Sequence, residues 1–345
     1  MNRWLPLVLL FPLAGCLEIE EEIVVRPDGS AEVRLTYRGD PAEFRAYLHA
    51  PPPPDWSLTK KVETEQTDKG PREKWVWQAS KTFRDLNEIP PCFAPKDLPH
   101  RERLLHHPTR LRVSTQNDFR VYEFERDYSQ MDVGEIHAVD DALLSDPKVK
   151  RLLDRIGEKG LSGLKAEEQT ELFEHLAASE REKQMIVASR AVAAYARHHR
   201  LAWTDRLVLL QAAEARIRNA LSGAKLSKAI AEFLAAHDKE EYARKFLSEL
   251  RREILDGLAM GAPVRSRGDA FPSIASVYDG EEVGVGAGKA LWDDRFRLTV
   301  RLPGRVIGGN GTRLKEDGGV QWEFDGRELY SKPMILRAIS VEKVK

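Results

Sequence analysis

The chain has 345 residues, 42% hydrophobic and 32% charged, so it carries enough apolar side chain for one large or two modest cores and is not a disordered polymer. Its 54 Lys and Arg against 55 Asp and Glu leave a net charge of −1, which removes the basic excess expected of a nucleic-acid-binding protein.

Arg3 gives a positive start, and Leu5 to Leu13 form an apolar run broken by Pro6 and Pro12. That run falls short of the roughly 20 apolar residues that span a bilayer. It closes on Leu13-Ala14-Gly15-Cys16, an aliphatic residue, two small residues and a cysteine. The segment resembles the lipobox of bacterial lipoproteins. The resemblance implies a signal peptide over residues 1–15, recognition of Leu13, Ala14 and Gly15 by a signal peptidase, and cleavage before Cys16. The Cys16 thiol would accept diacylglycerol, and the new amine a fatty acyl chain such as palmitate. Each buried CH₂ contributes about 0.8 kcal/mol, so two or three chains give a stable lipid anchor. The expected address is the bacterial cell envelope, facing periplasm or exterior, and Leu17 in place of an aspartate favours the outer membrane. With Cys16 acylated, Cys92 has no partner in the chain, so a disulfide framework is excluded. Cys92 lies in Ile89-Pro90-Pro91-Cys92-Phe93-Ala94-Pro95 and reads as a partly buried loop thiol.

No Ser/Gly/Pro-rich tether follows the cysteine. Alternation begins at once, with Leu17, Ile19, Ile23 and Val25 on one face and Glu18, Glu20 and Glu22 on the other. The folded body is therefore expected close to the headgroups, with an acidic first strand that suits an anionic surface poorly. Pro27-Asp28-Gly29-Ser30 makes a turn, and Ala31, Val33, Leu35 and Tyr37 complete a hairpin. Asp40-Pro41 opens a short helix through Phe44, Tyr47 and Leu48, stopped by Pro51 to Pro54. Strands follow over Lys74 to Phe83, Thr109 to Thr115 and Phe119 to Tyr128, the last two joined by Gln116-Asn117-Asp118, and Pro90 to Pro99 is a surface loop.

From Val139 to Met260 the apolar period becomes helical. Asp146-Pro147 opens a helix ending near Gly157 to Gly160; Ala166 to Leu201 forms one long helix or two; Thr204 caps the next, and Gly223 stops it. Leu226, Ile230 and Phe233 mark a short helix, and Asp238 with Glu241 a capping pair for the last. Gly261 to Gly288 reads as a turn-rich connector, after which strands return around Phe296 to Leu302, Val320 to Phe324 and Leu336 to Val341. The expected class is α+β. An antiparallel β domain is built from N- and C-terminal strands (residues 16–135 and 263–345), interrupted by a helical insertion over 136–262.

Leu302-Pro303-Gly304-Arg305-Val306, Asn310-Gly311-Thr312 and Val320-Gln321-Trp322-Glu323-Phe324 resemble the terminal β motif of LppM-like envelope lipoproteins. The Asp28-Gly29-Ser30 turn soon after the cysteine is also similar. The resemblance covers about a fifth of the chain and implies an envelope β domain that contacts a lipid or a partner surface. It carries no catalytic residue. On the residues alone, Asn310-Gly311 and Gly318-Gly319 close hairpins.

Local patterns supply no complete catalytic, cofactor or metal site. Gly284-Val285-Gly286-Ala287-Gly288-Lys289 lacks the first glycine and the final Ser/Thr of a phosphate loop and reads as a flexible turn. His106-His107 and His198-His199 are adjacent and point apart, while Glu171 and His175 share a helix face without a second pair to complete a metal shell. Leu161-Ser162-Gly163 and Leu221-Ser222-Gly223 are helix boundaries, and Asp140-Asp141 and Asp293-Asp294 are capping or loop pairs. The basic His198-His199-Arg200 segment suits a helix C-terminus. The expectation is a non-enzymatic, lipid-anchored binding or scaffolding protein. A carrier for an apolar ligand and a hydrolase with a dispersed site stand as alternatives. The expected partners are the membrane, through the N-terminal lipid, and an envelope protein or lipid, with no nucleic acid.

Overall fold

The computed structural model describes residues 17–40, 44, 55–67, 70–93, 96, 105–128, 133–235, 239–261, 273–314, 318–331 and 333–344. The segment 1–16, most of the helix expected after Asp40, much of the 90–99 loop and Asp238 lie outside the described residues.

β1 (Glu18–Val25) and β2 (Ala31–Gly39) form the first hairpin, with Ile19 opposite Tyr37 and Ile23 opposite Val33. Asp28 holds the turn: its carboxylate accepts from Ser30 Oγ at 2.7 Å and Ser30 N at 3.0 Å, which draws its pKa below the ordinary value. β4 (Gly70–Phe83) pairs with β2 and then with the edge strand β3 (Ser57–Thr67). The sequence pattern passes over β3 because its exposed Lys60, Lys61 and Val62 do not alternate apolar with polar.

On the other flank, β1 runs parallel to β7 (Arg295–Arg301), with Glu21 beside Leu298 and Ile23 beside Val300. β10 (Gly319–Asp325) and the short β9 (Thr312–Arg313) follow, giving the order β3-β4-β2-β1-β7-β10-β9. Strands from the two ends of the sequence thus make one sheet, within the expected α+β class. Their junction is parallel, which requires a long crossover, and the intervening chain supplies it.

A second, antiparallel sheet has the order β5 (Thr109–Gln116), β6 (Phe119–Tyr128), β11 (Met334–Lys343), β8 (Arg305–Gly309). The two sheets bury aromatic rings against each other. Phe324 lies 5.3 Å from Tyr128 and stacks on Phe296 at 5.2 Å, and Trp322 lies 6.1 Å from Phe124.

The helices are α1 (Gly134–Ser145), α2 (Pro147–Lys159), α3 (Ala166–His199), α4 (Trp203–Ala220), α5 (Gly223–Ala235), α6 (Lys239–Gly261), α7 (Ile274–Leu291) and α8 (Glu328–Ser331). Asp146 caps α2 by accepting from Lys148 N and Val149 N. Its partner in sequence, Pro147, occupies the first helical position, where no amide is missed. α3 is a single helix of 34 residues, and its Leu172, Phe173 and Leu176 bury against Val149, Leu152, Leu226 and Ile230. Contacts divide the chain into two compact units, Val133–Val285 and Ala14–Asp132 with Gly286–Lys345. No helix among the described residues is long and apolar enough to cross a membrane.

Three local expectations are corrected. Thr204 does not cap α4, which starts at Trp203 after Ala202 without a side-chain cap. Gly223 opens α5 rather than merely stopping α4: the Glu174 carboxylate occupies the space its Cβ would need. The Gly261–Gly288 stretch is not a connector throughout, because α7 covers its second half and carries Gly284 to Lys289 as helix. Each glycine there costs about 1 kcal/mol of helix propensity. Burial of Ile274, Val277, Tyr278, Val285 and Leu291 at helical spacing outweighs it.

Candidate anchoring site

Leu13, Ala14, Gly15 and Cys16 lie outside the described residues, but Leu17, the next residue, is already fixed. Its side chain is buried, its N–H donates to Asp294 Oδ1 at 3.0 Å, and its carbonyl accepts from Arg295 N at 2.9 Å. Asp294 sits between α7 and β7, and its own carbonyl accepts from Gly326 N at 2.9 Å. A Cβ on Gly326 would fall 1.6 Å from the Leu291 carbonyl oxygen, so only glycine lets these two turns close on one another. Asp293 turns the other way and pairs with Arg327 at 2.7 Å, whose guanidinium lies over the Trp292 ring. The start of β1 is thus held by residues far along the chain. One residue of backbone, about 3.8 Å, is all that separates position 16 from a pinned atom.

The terminal motif has a structural explanation at each position. Gly304 has φ +75°, and a Cβ there would meet the Val341 carbonyl oxygen at 2.2 Å; beside it, Ser340 Oγ donates to the Pro303 carbonyl at 2.7 Å. Asn310-Gly311 does not close a hairpin. It carries the chain from β8 in the second sheet to β9 in the first. Asn310 Oδ1 accepts from Trp322 Nε1 at 3.0 Å and from Arg337 N at 2.8 Å, while its Nδ2 donates to the Ile335 carbonyl at 2.7 Å. One amide side chain therefore ties β10 to β11 across the sandwich. Gly311 lies under the Trp322 ring, with room for no side chain. Gly318-Gly319 does sit in the β9–β10 hairpin.

The residues with chemical potential are dispersed. Asp140 and Asp141 are not a capping or loop pair: both lie inside α1, Asp140 buried against Lys183 at 2.8 Å and Asp141 exposed. Burial opposes the Lys183 charge, but Glu180 and Asp140 outweigh it and raise the pKa. His107 is packed between the Phe93 and Tyr128 rings, and His199 lies against Tyr195. Glu171 pairs with Lys148 across an open, largely acidic groove of about 810 Å³ that Glu167, Glu174, His175 and Arg181 also line. Ser222 Oγ accepts from Lys225 N at the start of α5, and Ser162 lies in a 3-10 turn. Cys92 is buried.

Four positions organise the β unit, and sequence reasoning assigned none of them its role: Glu21, Arg126, Asp294 and Asn310. For the first two a signal exists. Glu21 shares the inward phase of Ile19 and Ile23, and Arg126 that of Phe124 and Tyr128, so two opposite charges point into one core. Asp294 and Asn310 stand in local motifs, but their partners are set by tertiary folding and cannot be read from those motifs.

No family model matches the chain, and no curated protein matches it. Among solved structures it is similar to the folded domain of Mycobacterium tuberculosis LppM, determined by NMR. The match has 10% identity over 95% of this chain and 91% of that chain, with a TM-score of 0.25. Likeness at that level carries no argument about fold or role.

Proposed function

We propose that this protein is a lipid-anchored lipoprotein of the bacterial cell envelope, attached through Cys16 and acting by binding or scaffolding rather than catalysis. One observation supports the reading most. The lipobox-like Leu13-Ala14-Gly15-Cys16 runs directly into Leu17, a buried residue bonded to Asp294. An acyl group on Cys16 would hold a folded body against the headgroups without a tether. Leu17 in place of aspartate favours the outer membrane. Two buried ion pairs, Glu21 with Arg126 and Asp140 with Lys183, are spent on one another, which suits structural roles. The partners of this reading are the membrane, reached through the lipid, and a protein or lipid of the envelope.

Metabolic labelling with palmitate tests it. The wild-type chain takes up label and is shortened by fifteen residues. Cys16→Ala takes up none and stays uncleaved. Label entering the Cys16→Ala chain overturns the assignment.

A further inference from the structure

One end of the helical unit leaves large apolar side chains in solvent. Trp203 is 66% exposed, Leu207 38% and Val208 52%, all on α4, and Met260 at the end of α6 is 70% exposed. Trp203 and Leu207 are four residues apart and share a helix face, while Val208, next in sequence to Leu207, lies about 100° round the same exposed side. Met260 lies on the Val208 side of the helix, not beside Trp203: the neighbouring Gly261 packs on the backbone of Val208 and Leu209, and Arg216 Nη2 reaches Met260 Sδ at 3.2 Å.

Positive charge rims this strip. α3 ends in Arg197, His198 and His199, and Arg200 follows with φ +50° to turn the chain into α4. Arg197 and Arg200 are exposed and, among the described residues, in no ion pair. Arg206 lies one turn into α4, its Nε donating to the Leu201 carbonyl. The acids close in sequence are Asp205 and, a turn before Met260, Asp256. The α3 dipole accounts for basic residues in its last turn. It does not account for a tryptophan, two aliphatic residues and a methionine left in water beside them. The whole chain carries −1, so this excess is local. An apolar strip bearing Trp with Arg along its border is the composition of a surface that lies in a bilayer interface, rings and aliphatic groups in the acyl boundary and guanidinium groups on phosphate.

We propose that this end of the helical unit docks on an anionic lipid surface. Trp203, Leu207, Val208 and Met260 enter the interface, and Arg197, Arg200 and Arg206 meet the headgroup phosphates. This contact is distinct from any acyl group on Cys16.

The chain from Leu17 onward carries every element described above and no lipidation site, so its behaviour is read apart from anchoring. It is floated with vesicles of equal phosphatidylglycerol and phosphatidylcholine, and with phosphatidylcholine alone. The expected result is at least tenfold tighter binding to the anionic vesicles, weakening as salt rises, with brominated lipid quenching a fluorescence component that Trp203→Phe lacks. Joint W203S, L207S and M260S should lose at least tenfold of that binding with unchanged far-UV circular dichroism. Joint R197Q and R200N should remove the preference for phosphatidylglycerol; asparagine at 200 keeps a residue that tolerates the left-handed backbone. Absence of vesicle binding, or equal binding by the serine variant, overturns the proposal. Concentration-dependent self-association that the same serines abolish, without vesicle binding, also overturns it and assigns the strip to a second copy of the chain.

Discussion

Arg126 on β6 meets Glu21 on β1 through two parallel hydrogen bonds, Nη1 to Oε2 at 2.5 Å and Nη2 to Oε1 at 2.9 Å. Both side chains are buried, and Arg126 Nε also donates to Thr109 Oγ1 at 2.9 Å. Burial opposes the guanidinium charge, yet attraction to Glu21 overcomes it and the pKa rises. The pair bolts the second sheet to the first. Removing one partner strands the other charge in the core, which costs about 3–5 kcal/mol. Glu21→Leu and Arg126→Met should each show that loss in urea unfolding. The double variant should recover most of it, because two apolar groups can face each other where two ions did.

The Asn310 corner predicts a graded glycine series. At Gly311 a Cβ would lie 2.6 Å from Trp322, and at Gly304 it would lie 2.2 Å from a backbone oxygen with φ already at +75°. At Gly318, φ is +66° but the nearest atom is 3.7 Å away. Alanine at 318 should therefore cost only the left-handed backbone, about 1–2 kcal/mol. Alanine at 304 should cost more in thermal unfolding, since backbone cannot move aside, and alanine at 311 should displace the Trp322 ring, visible as a shift in its fluorescence. Asn310→Ala strands the groups it serves and should cost about 1–3 kcal/mol.

Legibility in the sequence followed burial on one face. The β1–β2 hairpin, β6, β10 and β11 alternate because each presents one side to the sandwich core, whereas β5 alternates only through Leu111 and leaves Val113, expected inward, exposed. β3 stayed hidden because an edge strand facing solvent needs no alternation. α7 stayed hidden for the opposite reason: its glycines argue against a helix, and only the burial of its apolar stripe outweighs them. Of the candidate anchoring site, Cys16 and its preceding residues are legible as a motif, and so is the missing tether. The Asp294 grip on Leu17 is not, since it joins residues 277 apart.

The helical unit should weaken in alkali. Lys183 has a raised pKa among Glu180 and Asp140, and burial raises the Tyr278 hydroxyl, which donates to Gln184 Oε1 at 2.7 Å. Both groups hold their protons more tightly folded than unfolded. Their contribution is complete below the unfolded values, about 10 for tyrosine and 10.4 for lysine, and is lost as pH climbs through the folded values. Thermal melts at 222 nm should hold from pH 9 to about pH 10 and fall above that. A Lys183→Met and Tyr278→Phe chain should start lower at pH 9 and fall less. Parallel curves for the two chains would place the alkaline sensitivity elsewhere.

The Leu17–Asp294 bond makes a prediction that separates folding from tethering. Asp294→Ala removes the acceptor of a buried amide and should cost about 1–3 kcal/mol. It should also speed hydrogen exchange in the peptide that begins at Leu17, while β2 and β4 exchange as before. Inserting four Gly-Ser residues between Cys16 and Leu17 leaves that bond and every described contact in place, so stability and exchange should not change. With Cys16 acylated as proposed, the insertion should instead lift the body from the membrane, by up to about 14 Å for four extended residues. Fluorescence transfer from Trp292, the aromatic residue beside Asp293 and Asp294, to a headgroup acceptor reads that distance, with Trp292→Phe as the blank. A gain in separation without loss of stability would mean that the buried start of β1 sets how closely the protein is held. No change in separation would mean that some other surface of the protein already holds it there.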